Sequence, residues 1–535
     1  MNTTIGCAVC AENERRMAIS PSKQLVDKLW AFCAVLRDDG VHVVEYTDQL
    51  TYLLFLKMAH ERETRKINPE QGIVPEDCSW QRLLDADGSQ LEETYNHILQ
   101  TLAKQKGVLG TIFRGAQSRF KDPAKLKQLI VDLIDKQNWS ATGTDIKGDA
   151  YESLLQKGAE DMKSGAGQYF TPRALIAAMV DVMQITAKDS VNDPAVGSGG
   201  FLLSAFEHAA PTANSPKETE HLQTNFATGT ELGDGPARLA AMNMILHGMV
   251  KPGADSPIYV GDSLTADPGK RYSVVLANPP FGTKAANTFV TEDGKVGKNN
   301  LAIMRPDFWV TTSNKQLNFV QHIKTIMAVN GRAAVVLPDN VLFEGGAGET
   351  IRQRLLKEFD VHTLLRLPTG IFYAGGVKAN VLFFEKKAAS ETPWTKDLWV
   401  YDFRTNMHFT QKTKSLKRAD LEEFVEVFSA GHRQDRIETD RFKKFAYDDL
   451  IARDKTNLDI LWLKDDSIVD AADLPAPEVI AEEILESLQT AVEEIQAVLD
   501  ALNQDPEDES EQDPEDENKK DLKDENENDS KDEEE

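Results

Sequence analysis

Between Gly167 and Lys387 the sequence repeatedly sets a short run of β-branched and apolar residues ahead of a helical pattern, and this alternation limits the fold more than any other feature. The segments SVNDPAV, NFATGTEL, PIYVGDSL, YSVVLANPPF, GRAAVVLPDNVLF, HTLLRLP and NVLFFEK are expected as successive strands. TPRALIAAMVDVMQ and GPARLAAMNMILHGMV space their apolar residues as helices do. Runs such as VVLA lack polar alternation, which fits strands covered on both faces. The pattern predicts a doubly wound α/β sheet within residues 157–387.

The flanks differ in texture. Residues 22–156 carry apolar positions three and four apart, as in LVDKLWAFCAVLRDD and YTDQLTYLLFLKMAHERE, and are expected to form a helical domain behind a flexible segment, residues 1–21. After Lys387 a mixed region is expected over 388–476, then a long helix over 477–503. Its apolar stripe of Ile480, Ile484, Leu485, Leu488, Ala491, Val492, Ile495, Val498 and Leu502 needs a partner surface, on this chain or another subunit. The tail, residues 504–535, repeats QDPEDE and is expected to be disordered.

The net charge of −27 does not exclude a nucleic-acid partner, because Asp505–Glu535 alone holds 18 acidic residues against 4 lysines. Contacts with phosphate depend on a local basic surface, not on the sum. Between Lys104 and Lys127 seven basic residues face one acidic residue; this reads as a solvated helix face or as a phosphate-contacting one. The four cysteines, including Cys7-x-x-Cys10, are expected as ordinary thiols, and Met17 is an alternative start. No apolar run reaches the roughly 18–20 residues of a membrane span. The opening residues lack a secretory signal pattern, so a cytoplasmic protein is expected.

Three kinds of motif carry chemistry. In YSVVLANPPFG a buried strand ends at Asn278, where Pro279 and Pro280 cannot donate ladder hydrogen bonds and restrict the residue before each of them. In NDPAVGSGGFLL glycines follow the first strand and open a helix, allowing the backbone to approach a ligand, although the Walker lysine and the third glycine of a dinucleotide loop are absent. Glu231 in GTEL and Asp262 in GDSL stand at the ends of the next two strands. Open α/β sheets bind ligands at such carboxyl ends, so Asp193, Glu231, Asp262 and Asn278 form one candidate crevice.

The ordered set GQYFTPR, DPAVGSGGF, GTEL, GDSL and NPPF resembles the S-adenosylmethionine-dependent adenine DNA methyltransferases, and within them the modification subunit of type I restriction-modification systems. LWAFCAVLRDDG and TYLLFLKMA resemble that subunit's helical amino-terminal domain. The resemblance spans about Ser22 to Lys387 and implies a Rossmann-like class I methyltransferase sheet. It further implies that Gln168, Tyr169, Phe170, Thr171, Pro172, Arg173, Asp193, Gly197, Ser198, Gly199 and Gly200 line S-adenosylmethionine, with Glu231 on the ribose and Asp262 on the cofactor's adenine. Asn278, Pro279, Pro280 and Phe281 would hold an adenine flipped out of double-stranded DNA, Phe281 by stacking.

A separate specificity subunit, a second copy of this chain and a restriction subunit are the implied partners, with no membrane involved; the stripe near Ile484 is the candidate docking surface. One departure concerns spacing: Glu231 lies 38 positions beyond Asp193, more than the roughly 20 usual for a ribose acid, and EHAAPTANSPKETEHLQTN is expected to contain the insertion. Three alternatives share parts of the pattern: a self-contained adenine methyltransferase, a protein-glutamine methyltransferase, whose motif expects tyrosine where Phe281 stands, and a non-catalytic scaffold.

Overall fold

A computed structural model describes residues 28–32, 43–64, 72–139, 171–281, 286–290, 296–300, 302–372, 378–410 and 414–464. The expected docking helix, acidic tail, flexible start and boundary between helical and sheet domains lie outside the described residues, as do Gln168, Tyr169, Phe170, Cys7 and Cys10.

Residues 43–139 form helices and no strand among the described residues, as the periodicity predicts. The long helix Val43–Thr64 buries Leu50, Leu53, Leu54 and Phe55 against Trp80, Tyr95 and Phe113. Cys78 is a buried free thiol whose pKa burial pushes up to about 12, consistent with an inert packing residue.

From Val191 the chain builds a sheet of nine strands: β1 (Val191–Asp193), β2 (Ala227–Glu231), β3 (Ile258–Val260), β4 (Tyr272–Ala277), β7 (Met327–Pro338), β8 (Phe359–Arg366), β9 (Ala379–Lys386), β10 (Asp397–Asp402) and β11 (Phe442–Ala446). A separate hairpin pairs β5 (Ala286–Val290) with β6 (Val296–Asn300). The sheet order is β11-β10-β8-β9-β7-β4-β1-β2-β3. Strands β3, β2, β1, β4 and β7 run parallel, whereas β9 lies antiparallel between β7 and β8. The chain winds outward from β1 through β2 to β3, then returns to place β4 on the other side of β1. The strand order therefore reverses between β1 and β4, the switch point at which doubly wound sheets open a crevice.

The sheet does not stop at Lys387, where the sequence pattern closes the domain. β10 pairs in parallel with β8, β11 pairs with β10, and the helix Glu422–Phe428 packs on the helix Arg173–Met183. β8 still has an unpaired edge after β9 is placed, and LWVYD supplies the apolar strand that covers it. The buried Arg366 at the end of β8 ties this extension in, pairing with Asp402 on β10 and with Asp459 near the end of the described chain.

The helical domain grips the helix Asp234–Leu246, which follows β2. Arg238 of that helix is 6% exposed, pairs with Asp48, donates from Nε to the Ile112 carbonyl at 2.8 Å and lies over the Tyr52 ring. Arg62 donates to the carbonyls of Ile245 and Leu246, satisfying the helix's last turn. Gly107 comes so close to the Ala254 carbonyl that a Cβ would sit 2.1 Å from its oxygen. Arg238→Ala removes the charge-assisted bonds and strands Asp48. Because Asp48 keeps part of its solvent contact, the expected loss is about 2–3 kcal/mol, below that of a fully buried pair, read as a lower urea midpoint with unchanged helix content.

Candidate active site

The registers bring the motif residues to one edge. β1 and β4 pair at Asn192 and Val275, so the turn after Asp193 and the turn at Asn278 leave adjacent strands about 4.8 Å apart in the hydrogen-bonding direction. Asp193 faces Gly229 on β2, which puts Glu231 two residues further out; Glu231 faces Val260 on β3, which puts Asp262 two residues beyond that.

The glycine turn is wired to its neighbours through its backbone. Gly197 (φ 52°) and Gly199 (φ 85°) occupy the left-handed region, which a side chain would strain. Gly197 N–H donates to Glu231 Oε2 at 3.0 Å, and Gly233 N–H donates to Oε1 at 3.1 Å, so the Glu231 carboxylate is oriented from both sides. Asn243 Nδ2 holds the Ser198 carbonyl at 2.9 Å, and a Cβ on Gly199 would touch Ala240 at 3.4 Å. The helix Asp234–Leu246 thus forms the floor of the turn. Among the described residues, and apart from its own chain neighbours, nothing lies within 4 Å of where a Cβ on Gly197 would be, leaving this side of the turn open for a ligand. The extra spacing before Glu231 contains the helix Pro216–Thr224, capped by Ser215, which leaves Glu231 at its expected strand end.

Asp193 is 1% exposed and accepts the Ala195 N–H at 3.0 Å. Burial raises its pKa to about 8, with the nearby Glu231 carboxylate adding to the rise. At neutral pH this carboxyl is therefore protonated. Ser263 Oγ donates to the Pro194 carbonyl at 2.6 Å, joining the GDSL loop to the glycine turn. The Asp262 carboxylate is exposed, with Oδ1 accepting the Leu264 N–H at 2.8 Å.

Just past the end of β4, Asn278 is 8% exposed. Its Nδ2 donates to Thr171 Oγ1 at 2.9 Å, while its buried Oδ1 has no hydrogen-bond partner among the described residues. Such an acceptor is rare in a native interior and calls for an explanation. Pro279 is buried, and Phe281, half-buried, meets Phe372 edge to face with ring centroids 5.7 Å apart. Thr171, expected beside the cofactor, has its hydroxyl on Asn278; Pro172 caps the helix Arg173–Met183.

Other supports carried no motif. Arg305, buried, donates to the carbonyls of Ser263 and Leu264 and to His322 Nδ1, and pairs with Asp307 at 2.7 Å. Burial, followed by the Arg305 charge, lowers the His322 pKa to about 4, so the imidazole stays neutral and accepts. Gln316 Nε2 donates to the Phe281 carbonyl at 2.7 Å. The Asn314 that caps its helix was the one local signal for this region: its Oδ1 accepts from the N–H groups of Gln316 and Leu317. In the basic run, Lys127 donates to the Leu84 and Ala86 carbonyls, Arg119 pairs with Glu45 and Arg114 with Asp234. Lys127 thus ties two elements of the fold, whereas Arg114 and Arg119 remain exposed in surface pairs.

The comparisons with known proteins agree with this geometry. The N-6 DNA methylase family matches residues 142–465, and the HsdM N-terminal domain matches residues 25–136. The chain belongs to the N-6 DNA methylase family. This methylase is 36% identical over 524 residues to the type I restriction enzyme StySJI methylase subunit of Salmonella typhimurium (strain LT2), covering 89% of this chain and 95% of that one. It is also 36% identical over 532 residues to the EcoKI methylase subunit of Escherichia coli (strain K12), covering 91% and 96%. The crystal structure of the EcoKI M protein superposes with a TM-score of 0.50 at 31% identity, covering 91% of this chain and 97% of that one. The methylase is a type I modification subunit and an adenine-specific DNA methyltransferase.

The methylase's Asp193 gives a pH test. Its folded-state pKa lies above the ordinary value of 3.8, so the folded chain holds this proton more tightly than the unfolded chain. The resulting stabilisation is complete below that ordinary value and is lost as the pH rises through about 8. Asp193→Asn removes this component. Across that interval its melting temperature is expected to gain steadily on the parent's; a constant difference would contradict a protonated Asp193.

Proposed function

We propose that this methylase transfers the methyl group of S-adenosylmethionine to the N6 amine of an adenine everted from double-stranded DNA, at a site read by a separate specificity subunit. The observation that carries the reading is the buried Oδ1 of Asn278 at the switch point of the sheet, which has no hydrogen-bond partner among the described residues.

S-adenosylmethionine supplies an electrophilic methyl group when bound. The residues present fit it: an open glycine turn, an oriented Glu231 for ribose hydroxyls and the exposed Asp262 for its adenine amine. Asp193, protonated at neutral pH beside Glu231, can donate a hydrogen bond into the same crevice or ionise against a cationic ligand. Gln168, Tyr169, Phe170 and Arg173 complete the proposed lining.

The adenine amine is a poor nucleophile because its lone pair is delocalised into the ring, and no carboxylate is basic enough to deprotonate it. Asn278 Oδ1 accepts one amine hydrogen and the Pro279 carbonyl the other. Two neutral acceptors favour a tetrahedral nitrogen with its lone pair localised, and they stabilise positive charge as it grows there. The Thr171 bond to Nδ2 holds the amide so that Oδ1 keeps its aim. Pro279 and Pro280 restrict the backbone, and Phe281 provides an aromatic surface for the everted base.

We further propose that two copies of the chain assemble on a specificity subunit in the cytoplasm, that a restriction subunit can join them, and that the stripe near Ile484 docks. That the StySJI and EcoKI relatives are methylase subunits of type I restriction enzymes supports this assembly over a self-contained enzyme. The family match, Asn278 and the glycine turn favour methyl transfer to adenine over the protein-glutamine and scaffold readings.

Asn278→Ala is expected to keep S-adenosylmethionine affinity in a calorimetric titration within about twofold while lowering labelled-methyl transfer by more than about a hundredfold, the scale of a lost transition-state acceptor. Equal loss of both would make Asn278 structural. The chain purified alone is expected to bind S-adenosylmethionine but to methylate specific DNA weakly. Strong sequence-specific methylation by the isolated chain, followed with labelled methyl donor, would remove the specificity subunit from the reading.

A further inference from the structure

The turn that carries Asn278 is held at its far end by a group no motif marks. Gln316, in the first turn of the helix Lys315–Ile326, is 1% exposed, and its Nε2 donates to the Phe281 carbonyl at 2.7 Å. Its Oε1 accepts from Asn340 Nδ2 at 3.1 Å. Asn340 lies in the short helix Asp339–Phe343 just past the end of β7, the parallel neighbour of β4, so the side chain of Gln316 bridges the segments that leave two adjacent strands on one edge of the sheet.

The bridge is itself locked. Glu344 Oε2 accepts from Asn314 Nδ2 at 2.9 Å and from Asn340 Nδ2 at 3.4 Å. The Glu344 carbonyl accepts from the buried Arg352 Nη2 at 2.7 Å, and the Val341 carbonyl from Arg352 Nη1 at 2.8 Å. A leucine could fill a buried site of this size without any requirement for hydrogen bonds. Only a side chain with one donor and one acceptor at its tip satisfies the Phe281 carbonyl and Asn340 together.

We propose that Gln316 is a positioning residue for methyl transfer. It touches neither substrate nor cofactor; it fixes the Phe281 carbonyl and with it the Asn278–Phe281 turn, whose two acceptors must meet the amine hydrogens in one geometry. This rests on the reading of Asn278 and Pro279 given above. Misplacement of a reacting group by about 1 Å is enough to slow a reaction about a hundredfold, so the donor from Gln316 matters for rate more than for binding.

Gln316→Glu keeps the shape and exchanges the donor for a carboxylate that repels the Phe281 carbonyl. Protonation restores the donor, because a carboxylic acid can give its O–H to Phe281 while its other oxygen accepts from Asn340. The test is single-turnover transfer of labelled methyl from S-adenosylmethionine to a duplex with one target site, with the chain assembled on its specificity subunit. At alkaline pH the variant is expected to be slower than the parent by about tenfold to a hundredfold, with calorimetric S-adenosylmethionine affinity retained. Relative to the parent, the rate is expected to recover as the pH is lowered, and Gln316→Leu to show no recovery.

A parental rate at alkaline pH, or a loss that acidification does not reverse, overturns the proposal. Should Gln316→Glu fail to assemble, Asn340→Leu carries the test, since it frees the Gln316 amide to rotate: slower transfer at retained cofactor affinity supports the proposal and an unchanged rate overturns it. Asn278→Ala, run alongside, separates the two layers. If it transfers methyl at the parental rate the site reading fails, whereas an inactive Asn278→Ala beside a fully active Gln316→Glu removes only the role of Gln316.

Discussion

A buried amide oxygen without a hydrogen bond destabilises a fold by about 1–3 kcal/mol, and among the described residues Asn278 Oδ1 is such an atom, in a side chain whose other end is satisfied by Thr171. The surrounding structure keeps that oxygen in place. β4 is buried between β1 and β7, two prolines stiffen its exit, and Thr171 and Gln316 hold the turn from opposite ends of the motif. A misplaced polar group in an ordinary core would be relieved by rotation or by substitution with an apolar residue. Here Thr171 holds the amide against rotation and Gln316 fixes the far end of the turn, as expected of an acceptor reserved for a substrate hydrogen.

The same economy of connection extends to the cofactor side. The Glu231 carboxylate takes N–H groups from the glycine turn and from Gly233, and Asn243 of the helix Asp234–Leu246 holds the turn's Ser198 carbonyl. Arg238 of that helix is the anchor for the helical domain. Helical domain, floor helix and glycine turn therefore form one mechanically continuous stack.

Much of this was legible in the sequence because its causes are local. An apolar run ended by Asn-Pro-Pro must stop a buried strand, and glycines after β1 must serve positive φ, so Asn278, Gly197 and Gly199 could be found by inspection. Glu231 survived an unusual spacing because the intervening Ser-Pro signal capped a separate helix. What stayed hidden depends on contacts between distant segments. Thr171 meets Asn278 across 107 positions, Gln316 meets Phe281 across 35, and nothing in either local pattern encodes the partner. The antiparallel insertion of β9 and the continuation through β10 and β11 were equally illegible, since an apolar run specifies a strand but not its neighbour. The protonation of Asp193 follows from burial, which a motif does not report.

The most direct measurement is a structure of the assembled enzyme on its DNA target with a non-reactive analogue of the methyl donor. The adenine N6 is expected at hydrogen-bond distance, about 3 Å, from both Asn278 Oδ1 and the Pro279 carbonyl, with the analogue's sulfur-equivalent atom on the side of the glycine turn. An everted adenine bound elsewhere, with Asn278 Oδ1 satisfied by a protein group, would contradict the central role assigned to that oxygen.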